Sequence, residues 1–177
     1  MGLFSFAVIS ESAGEAHRTE VTAVEAEAKL RALGFILPRP PQPVGSYLLA
    51  QQVGTLLFLS GTTCYTDGGL LYKGRLGEEL TVEQGQAAAR QTMLNLLAVI
   101  KSTLGDLDRV ERVIKLNGYV NSALNFDRQP EVINGASELL EQIYGESGRH
   151  ARTSIGVSDL PGHIPVEIEL VIQVRAV

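Results

Sequence analysis

The sequence predicts one α+β domain, a mixed sheet with two long helices on one face. Three observations carry this. Two stretches, after Thr81 and after Asp127, repeat apolar residues at helical spacing. Four or more stretches are rich in apolar and β-branched residues, and two of them, Val110–Val120 and Val166–Val174, alternate with period two. These elements run in the order strands, helix, strand, helix, strands, with no internal repeat. A chain of 177 residues, 45% hydrophobic and 20% charged, has the length and balance of a single globular domain.

Residues 1–20 show no clean period and read as an extension, leaving 21–177 as the domain. Val24, Ala28, Leu30 and Leu33 approximate a helix over Thr22–Leu33, stopped by Gly34. Pro38, Pro40, Pro41 and Pro43 then exclude helix and central strand, so an extended connector is expected. Tyr47–Ala50 and Thr55–Ser60 read as strands joined by a turn at Val53-Gly54. Thr62–Leu80, with Gly68, Gly69, Gly74 and Gly77, suits a loop with short hairpin segments.

Thr81 and Gln84 have the spacing of a capping box. Behind them Val82, Ala89, Met93, Leu96, Leu97, Ile100 and Leu104 line one stripe, closed by Gly105. In the strand that follows, Val110, Ile114, Leu116 and Val120 should face one way, and Glu111, Val113, Lys115, Asn117 and Tyr119 the other. Asp127 and Pro130 open the second long helix, with Val132, Ala136, Leu139, Leu140 and Ile143 inward. Arg152–Val157 and Val166–Val174 complete a sheet of five or six strands. Two helices cover one face of it. The other keeps Val113, Tyr119, Ile155, Val157 and Val171, which points to an oligomer.

Several function classes find no support. The net charge is −5 and basic residues form no run, so nucleic acid is not an expected partner. Cys64 is the sole cysteine and His17, His150 and His163 are scattered, so neither a disulfide nor a metal site is expected. No apolar run reaches membrane-spanning length, Met1–Ser10 lacks a basic flank, and Phe6 breaks the myristoylation pattern. No nucleotide fingerprint is present, and no cofactor is expected. The expected location is cytoplasmic.

The residues left for chemistry are Arg152, Glu167, Glu169, Tyr47, Asn134, Ser60 and Ser154. A guanidinium at the start of a strand can grip a carboxylate through two parallel hydrogen bonds, or pair with a surface acid. Glu167 and Glu169 share a strand face, where proximity can raise one pKa and yield a proton-transfer group, or leave two solvated acids. Ser154 shares a face with Arg152 but has no visible base partner, so a structural or hydrogen-bonding role is expected. His150 and His163 read as loop residues.

From Pro41 to Val174 the chain resembles the Rid or YjgF family of reactive-intermediate deaminases, also labelled L-PSP endoribonuclease-like. The resemblance rests on Val44-Gly45-Ser46-Tyr47, Leu57-Phe58-Leu59-Ser60-Gly61, the run Gln91–Ile100 and Asp108-Arg109-Val110. Ala151-Arg152-Thr153-Ser154 and Leu160-Pro161 leading into Val166-Glu167-Ile168-Glu169 complete it. It implies a chorismate-mutase-like homotrimer with clefts between subunits, and hydrolysis of small enamines and imines to keto acids and ammonia without a metal. It places the carboxylate-binding arginine on Arg152 and the water-orienting glutamate on Glu167. Tyr47, Ser60, Asn134 and Ser154 fall in the substrate-binding region. The sequence departs at Ser154, where many members carry cysteine, at Thr62, where glutamine is common, and over Gly145–Arg152. Alternative readings are a carboxylate-binding module without turnover and, less favoured by the acidic charge, an endoribonuclease.

Overall fold

A computed structural model describes residues 25–176. The expected extension at 1–20, and Thr22 and Val24 of the first expected helix, lie outside the described residues. The described residues open with α1 (Ala26–Ala32), followed by β1 (Ala50–Val53) and β2 (Leu56–Thr62). A small hairpin of β3 (Tyr65–Thr66) and β4 (Gly69–Leu70) precedes α2 (Val82–Leu104). Then come β5 (Val110–Asn121), α3 (Gln129–Tyr144), β6 (Ala151–Val157) and β7 (Val166–Val174). The main sheet has the order β1-β2-β7-β5-β6. Its pairings are antiparallel except β5 with β6, which α3 joins as a crossover.

Helix α2 begins as expected. Thr81 Oγ1 accepts from the Gln84 amide and Gln84 Oε1 accepts from the Thr81 amide, so two otherwise unpaired donors are satisfied. Every residue from Thr92 to Ile100 is buried, more than one stripe, because α2 packs on the sheet and also against α3. Gly135 makes the second contact possible. A Cβ there would stand 2.1 Å from the Gln86 carbonyl oxygen, so only glycine lets the helices approach this closely. Arg128, Pro130 and the stripe Val132, Ala136, Leu139, Leu140, Ile143 complete α3, whose stripe is fully buried. In α1 the buried residues are Ala26 and Leu30, while Leu33, expected inward, is exposed because the helix has ended.

The strands bring two corrections. The first hairpin is offset: β1 is Ala50–Val53 instead of Tyr47–Ala50, because the chain reverses at Gly54-Thr55 with Ala50 opposite Leu59 and Val53 opposite Leu56. Gly54 has φ 58°, a conformation glycine adopts without cost, and this turn sets the register. Tyr47 therefore precedes the strand. The second correction concerns β5. Its pairing with β7 shifts between Val110 and Arg112 and again between Val113 and Lys115. The second shift places Val113 opposite Ile172, in the core, and leaves Ile114 only half-buried. Val113 thus leaves the uncovered face and Ile114 the core.

β7 alternates as predicted: Val166, Ile168, Leu170, Ile172 and Val174 are buried beneath the helices, and Glu167, Glu169, Val171 and Gln173 face away. On that open face Phe58, at 44% exposure, and Ile155, at 46%, stand with half-buried Tyr119 and Val171. No helix among the described residues is long and apolar enough to cross a membrane.

Candidate active site

The two glutamates of β7 point the same way but differ in their surroundings. Glu169 Oε1 accepts from Asn117 Nδ2 at 2.7 Å and from the Tyr119 hydroxyl at 3.0 Å. Glu167 makes no hydrogen bond to the described residues. Its half-buried carboxyl is raised above the usual carboxylate range by burial and, secondly, by the charge of Glu169. The β2–β7 register breaks between Leu59 and Thr62, and the irregularity brings Gly61 beneath Glu167. A Cβ at position 61 would lie 2.1 Å from Glu167 Oε1, so the missing side chain is what lets the carboxyl lie across β2.

Glu167 lines a cleft of about 240 Å³ with Tyr47, Leu49, Thr62, Pro161 and Ile164. Thr62 therefore borders this cleft. Ser60 does not; its hydroxyl donates to the Leu48 carbonyl at 2.7 Å, and it lines an adjacent hollow with Asn117 and Glu169. The turn carrying Pro161 is fastened from behind by His163. Nε2 lies 2.9 Å from Glu79 Oε2 and Nδ1 lies 3.2 Å from Asp159 Oδ1. Those two contacts raise the His163 pKa and hold Glu79 and Asp159 below the ordinary carboxylate values. Among the described residues no group of three or more His, Cys, Asp or Glu is placed to hold a metal ion.

Arg152 sits elsewhere. Its β6 position pairs with Leu116, a core residue, so its side chain lies on the helix-covered side of the sheet. There α3 braces it: Nη1 donates to Asn134 Oδ1 at 2.8 Å and to Ser137 Oγ at 3.1 Å, and Nη2 donates to the Pro130 carbonyl at 3.3 Å. Its Nε finds no partner among the described residues, so an edge of the fork stays open. Desolvation lowers its pKa from a very high starting value, and the group stays cationic. Ser154, two residues on, follows the same side, paired with Gly118. Its Oγ is buried with no hydrogen-bond partner, so the hydrogen-bonding role expected from the sequence is not realised within the described residues.

The candidates thus fall into two groups. Arg152, Asn134 and Ser154 are on the helix side, and Tyr47, Ser60 and Glu167 on the open side, with the sheet between them. Sequence reading missed Ser137 and His150, both lining the Arg152 corner. Spacing could have found them: Ser137 is one helical turn after Asn134, and His150 is two residues before Arg152.

A mixed sheet with a helix-backed face, a carboxyl on the other face that no described residue partners and a braced guanidinium at one edge defines a small α+β domain with polar clefts. Its sequence matches the family model described as "YjgF/chorismate_mutase-like, putative endoribonuclease" over residues 27–164. The chain belongs to that family. It is 42% identical over 149 residues to Protein TCP17 of Trypanosoma cruzi, covering 84% of this chain and 93% of that one. It is 27% identical over 138 residues to a Dermatophagoides farinae protein named 2-iminobutanoate/2-iminopropanoate deaminase, covering 78% and 93%. Among solved structures it resembles the protein Atu1372, of unknown function, from Agrobacterium tumefaciens. There the TM-score is 0.80 and the identity 38%, covering 87% of this chain and 94% of that chain.

Proposed function

We propose that this protein hydrolyses small 2-imino acids to 2-keto acids and ammonia, in clefts formed between the subunits of a homotrimer. The observation that carries the reading is the state of Glu167: a half-buried carboxyl without a hydrogen-bond partner among the described residues, with its pKa raised by burial and open to a cleft. Such a group can exchange a proton with a substrate at physiological pH. Arg152 supplies the complementary function, since its open edge suits a carboxylate while Asn134, Ser137 and Pro130 fix its orientation.

In this mechanism water adds to the carbon of the protonated C=N group, and Glu167 takes the proton that the water gives up. The same carboxyl then delivers a proton to the nitrogen of the resulting carbinolamine. The C–N bond breaks, ammonia leaves, and the oxygen retained on carbon gives its remaining proton back to the Glu167 carboxylate as it becomes the keto group. Every step is a proton transfer or a water addition, so no redox partner is required. Within one chain Arg152 and Glu167 are separated by the sheet, so the reading requires Arg152 from one copy and Glu167 from the next. The open face, with Phe58, Tyr119, Ile155 and Val171, supplies an apolar surface for that association.

The test is ammonia release from 2-iminobutanoate generated in situ, measured against its spontaneous hydrolysis. The wild type should accelerate release, and Glu167→Gln should remove most of the acceleration. A wild type that binds 2-oxobutanoate tightly yet never accelerates release would instead make this a carboxylate-binding module.

A further inference from the structure

The Arg152 corner contains a second titratable group, and its hydrogen bonds have a direction. His150 Nδ1 lies 2.7 Å from the Gly148 carbonyl oxygen. A carbonyl only accepts, so Nδ1 carries a proton. In the neutral ring Nε2 is then a lone pair, and the Ser137 hydroxyl, 3.1 Å away, must donate its one proton to it. Ser137 Oγ accepts in turn from Arg152 Nη1. The chain runs from Arg152 through Ser137 to His150 and ends on the Gly148 carbonyl.

We propose that His150, acting through Ser137, couples filling of the Arg152 carboxylate site to uptake of a proton, so that the site grips carboxylates more tightly as the medium becomes acidic. This rests on the reading of Arg152 given above. Two effects point the same way. When Nε2 gains a proton it becomes the donor to Ser137 Oγ. That oxygen still accepts from Arg152, and its own O–H is released to turn into the cleft of about 170 Å³ that Ser137, His150 and Arg152 line. An anion there gains a hydrogen-bond donor.

The second effect is electrostatic. The charged groups around His150 are Arg152 from β6, Arg149 from the preceding turn and Glu141 from α3. Arg149 lies 3.9 Å from Glu141 and 3.3 Å from Glu146, which offset its charge. Burial, followed by the Arg152 charge, holds His150 below its ordinary pKa against the opposing Gly148 hydrogen bond and Glu141. An anion on the guanidinium neutralises that charge and makes protonation of His150 easier. By linkage, a proton on His150 strengthens anion binding by the same factor.

His150 is a positioning residue in this account, so the readout is its titration. Calorimetric titration of 2-oxobutanoate would be run from about pH 8 to about pH 5.5, through the ordinary histidine range, in buffers of unlike ionisation heat. A Glu167→Gln background removes the carboxyl of the proposed catalytic cleft, whose raised pKa would add a second titration. Affinity should rise with falling pH, by up to about tenfold per pH unit between the free and bound His150 pKa values, with net proton uptake. His150→Gln should flatten the profile and abolish the uptake. Ring NMR of the full chain should show the His150 pKa rising when 2-oxobutanoate is added, and rising in Arg152→Gln without ligand. Binding that needs Arg152 but keeps its pH profile in His150→Gln, or a His150 pKa unmoved by ligand, overturns this inference and leaves the proposed function standing. Absence of Arg152-dependent binding at every pH overturns both.

Discussion

The Arg152 corner and the Glu167 cleft are opposites. Arg152 is held by three acceptors on α3 and has little freedom left to choose its direction. Glu167 is held by no hydrogen bond among the described residues, while its neighbour Glu169, two residues away, is fixed by Asn117 and Tyr119. A rigid cation suits recognition, because a fork fixed beforehand loses little entropy when a carboxylate docks. A carboxyl without a partner suits proton transfer, because no hydrogen bond has to be broken before it acts. Under the proposed function the contrast gives binding to one corner and proton chemistry to the other. Because the sheet separates Arg152 from Glu167 within one chain, that function requires a second copy to bring them together.

The largest expected effect comes from removing the proton carrier. Glu167→Gln should lower ammonia release by ~10²–10⁴-fold with little change in affinity for 2-oxobutanoate. If affinity and rate fell together, the division of labour would be wrong. Arg152→Lys should give the reverse pattern in calorimetry, with affinity falling roughly tenfold or more as the bidentate fork is lost. Equal affinity would move the carboxylate site elsewhere.

Acidity sharpens the same comparison. The rate should fall as pH drops through the raised Glu167 pKa, since its ionised form accepts the proton from water. Glu169→Gln keeps an oxygen for Asn117 and Tyr119 to donate to but removes the neighbouring charge. It should move the acid limb of the pH–rate profile to lower pH. An unmoved limb would leave burial as the sole cause of the Glu167 shift.

A smaller effect concerns the wall of the cleft. A His163 ring facing two carboxylates is best satisfied when both nitrogens carry protons. Its folded pKa is raised above the unfolded value, so its contribution to stability is complete below the unfolded pKa and is lost as pH rises through the folded one. His163→Gln should therefore lower Tm at pH 6 and have less effect at pH 9; equal losses would mean that the charge plays no part. Smallest of all is Ser154→Ala. It removes a buried hydroxyl without a partner, and thermal melts should show Tm unchanged or slightly higher.

Much of this was legible in the sequence, for physical reasons. The periods of α3 and β7 follow from burial on one side, and Thr81 with Gln84 announced the start of α2. Arg152 and Glu167 could be singled out by residue type and strand position, but each also had an ordinary structural reading, and it was the family resemblance that placed roles on them. Bulges were invisible. One extra residue near Ile114 exchanges it with Val113 without changing composition, so alternation alone misassigned both. The hairpin offset at Gly54 had the same origin, a register set by turn geometry. The bracing of Arg152 by Ser137, and the contact of Ser137 with His150, depend on how α3 docks over β6, a packing result that spacing only hints at.

The central claim is that one active site draws on two chains, and mixing variants tests it most directly. Arg152→Ala and Glu167→Ala should each be nearly inactive in ammonia release. Unfolded together in equal amounts and refolded, they should form trimers of random composition, and each mixed trimer has one cleft that pairs an intact Arg152 with an intact Glu167 from the neighbouring copy, about a quarter of all clefts. Activity should return to about that fraction of wild type. A mixture as inactive as its components, with mixed trimers shown by mass spectrometry to have formed, would contradict the account.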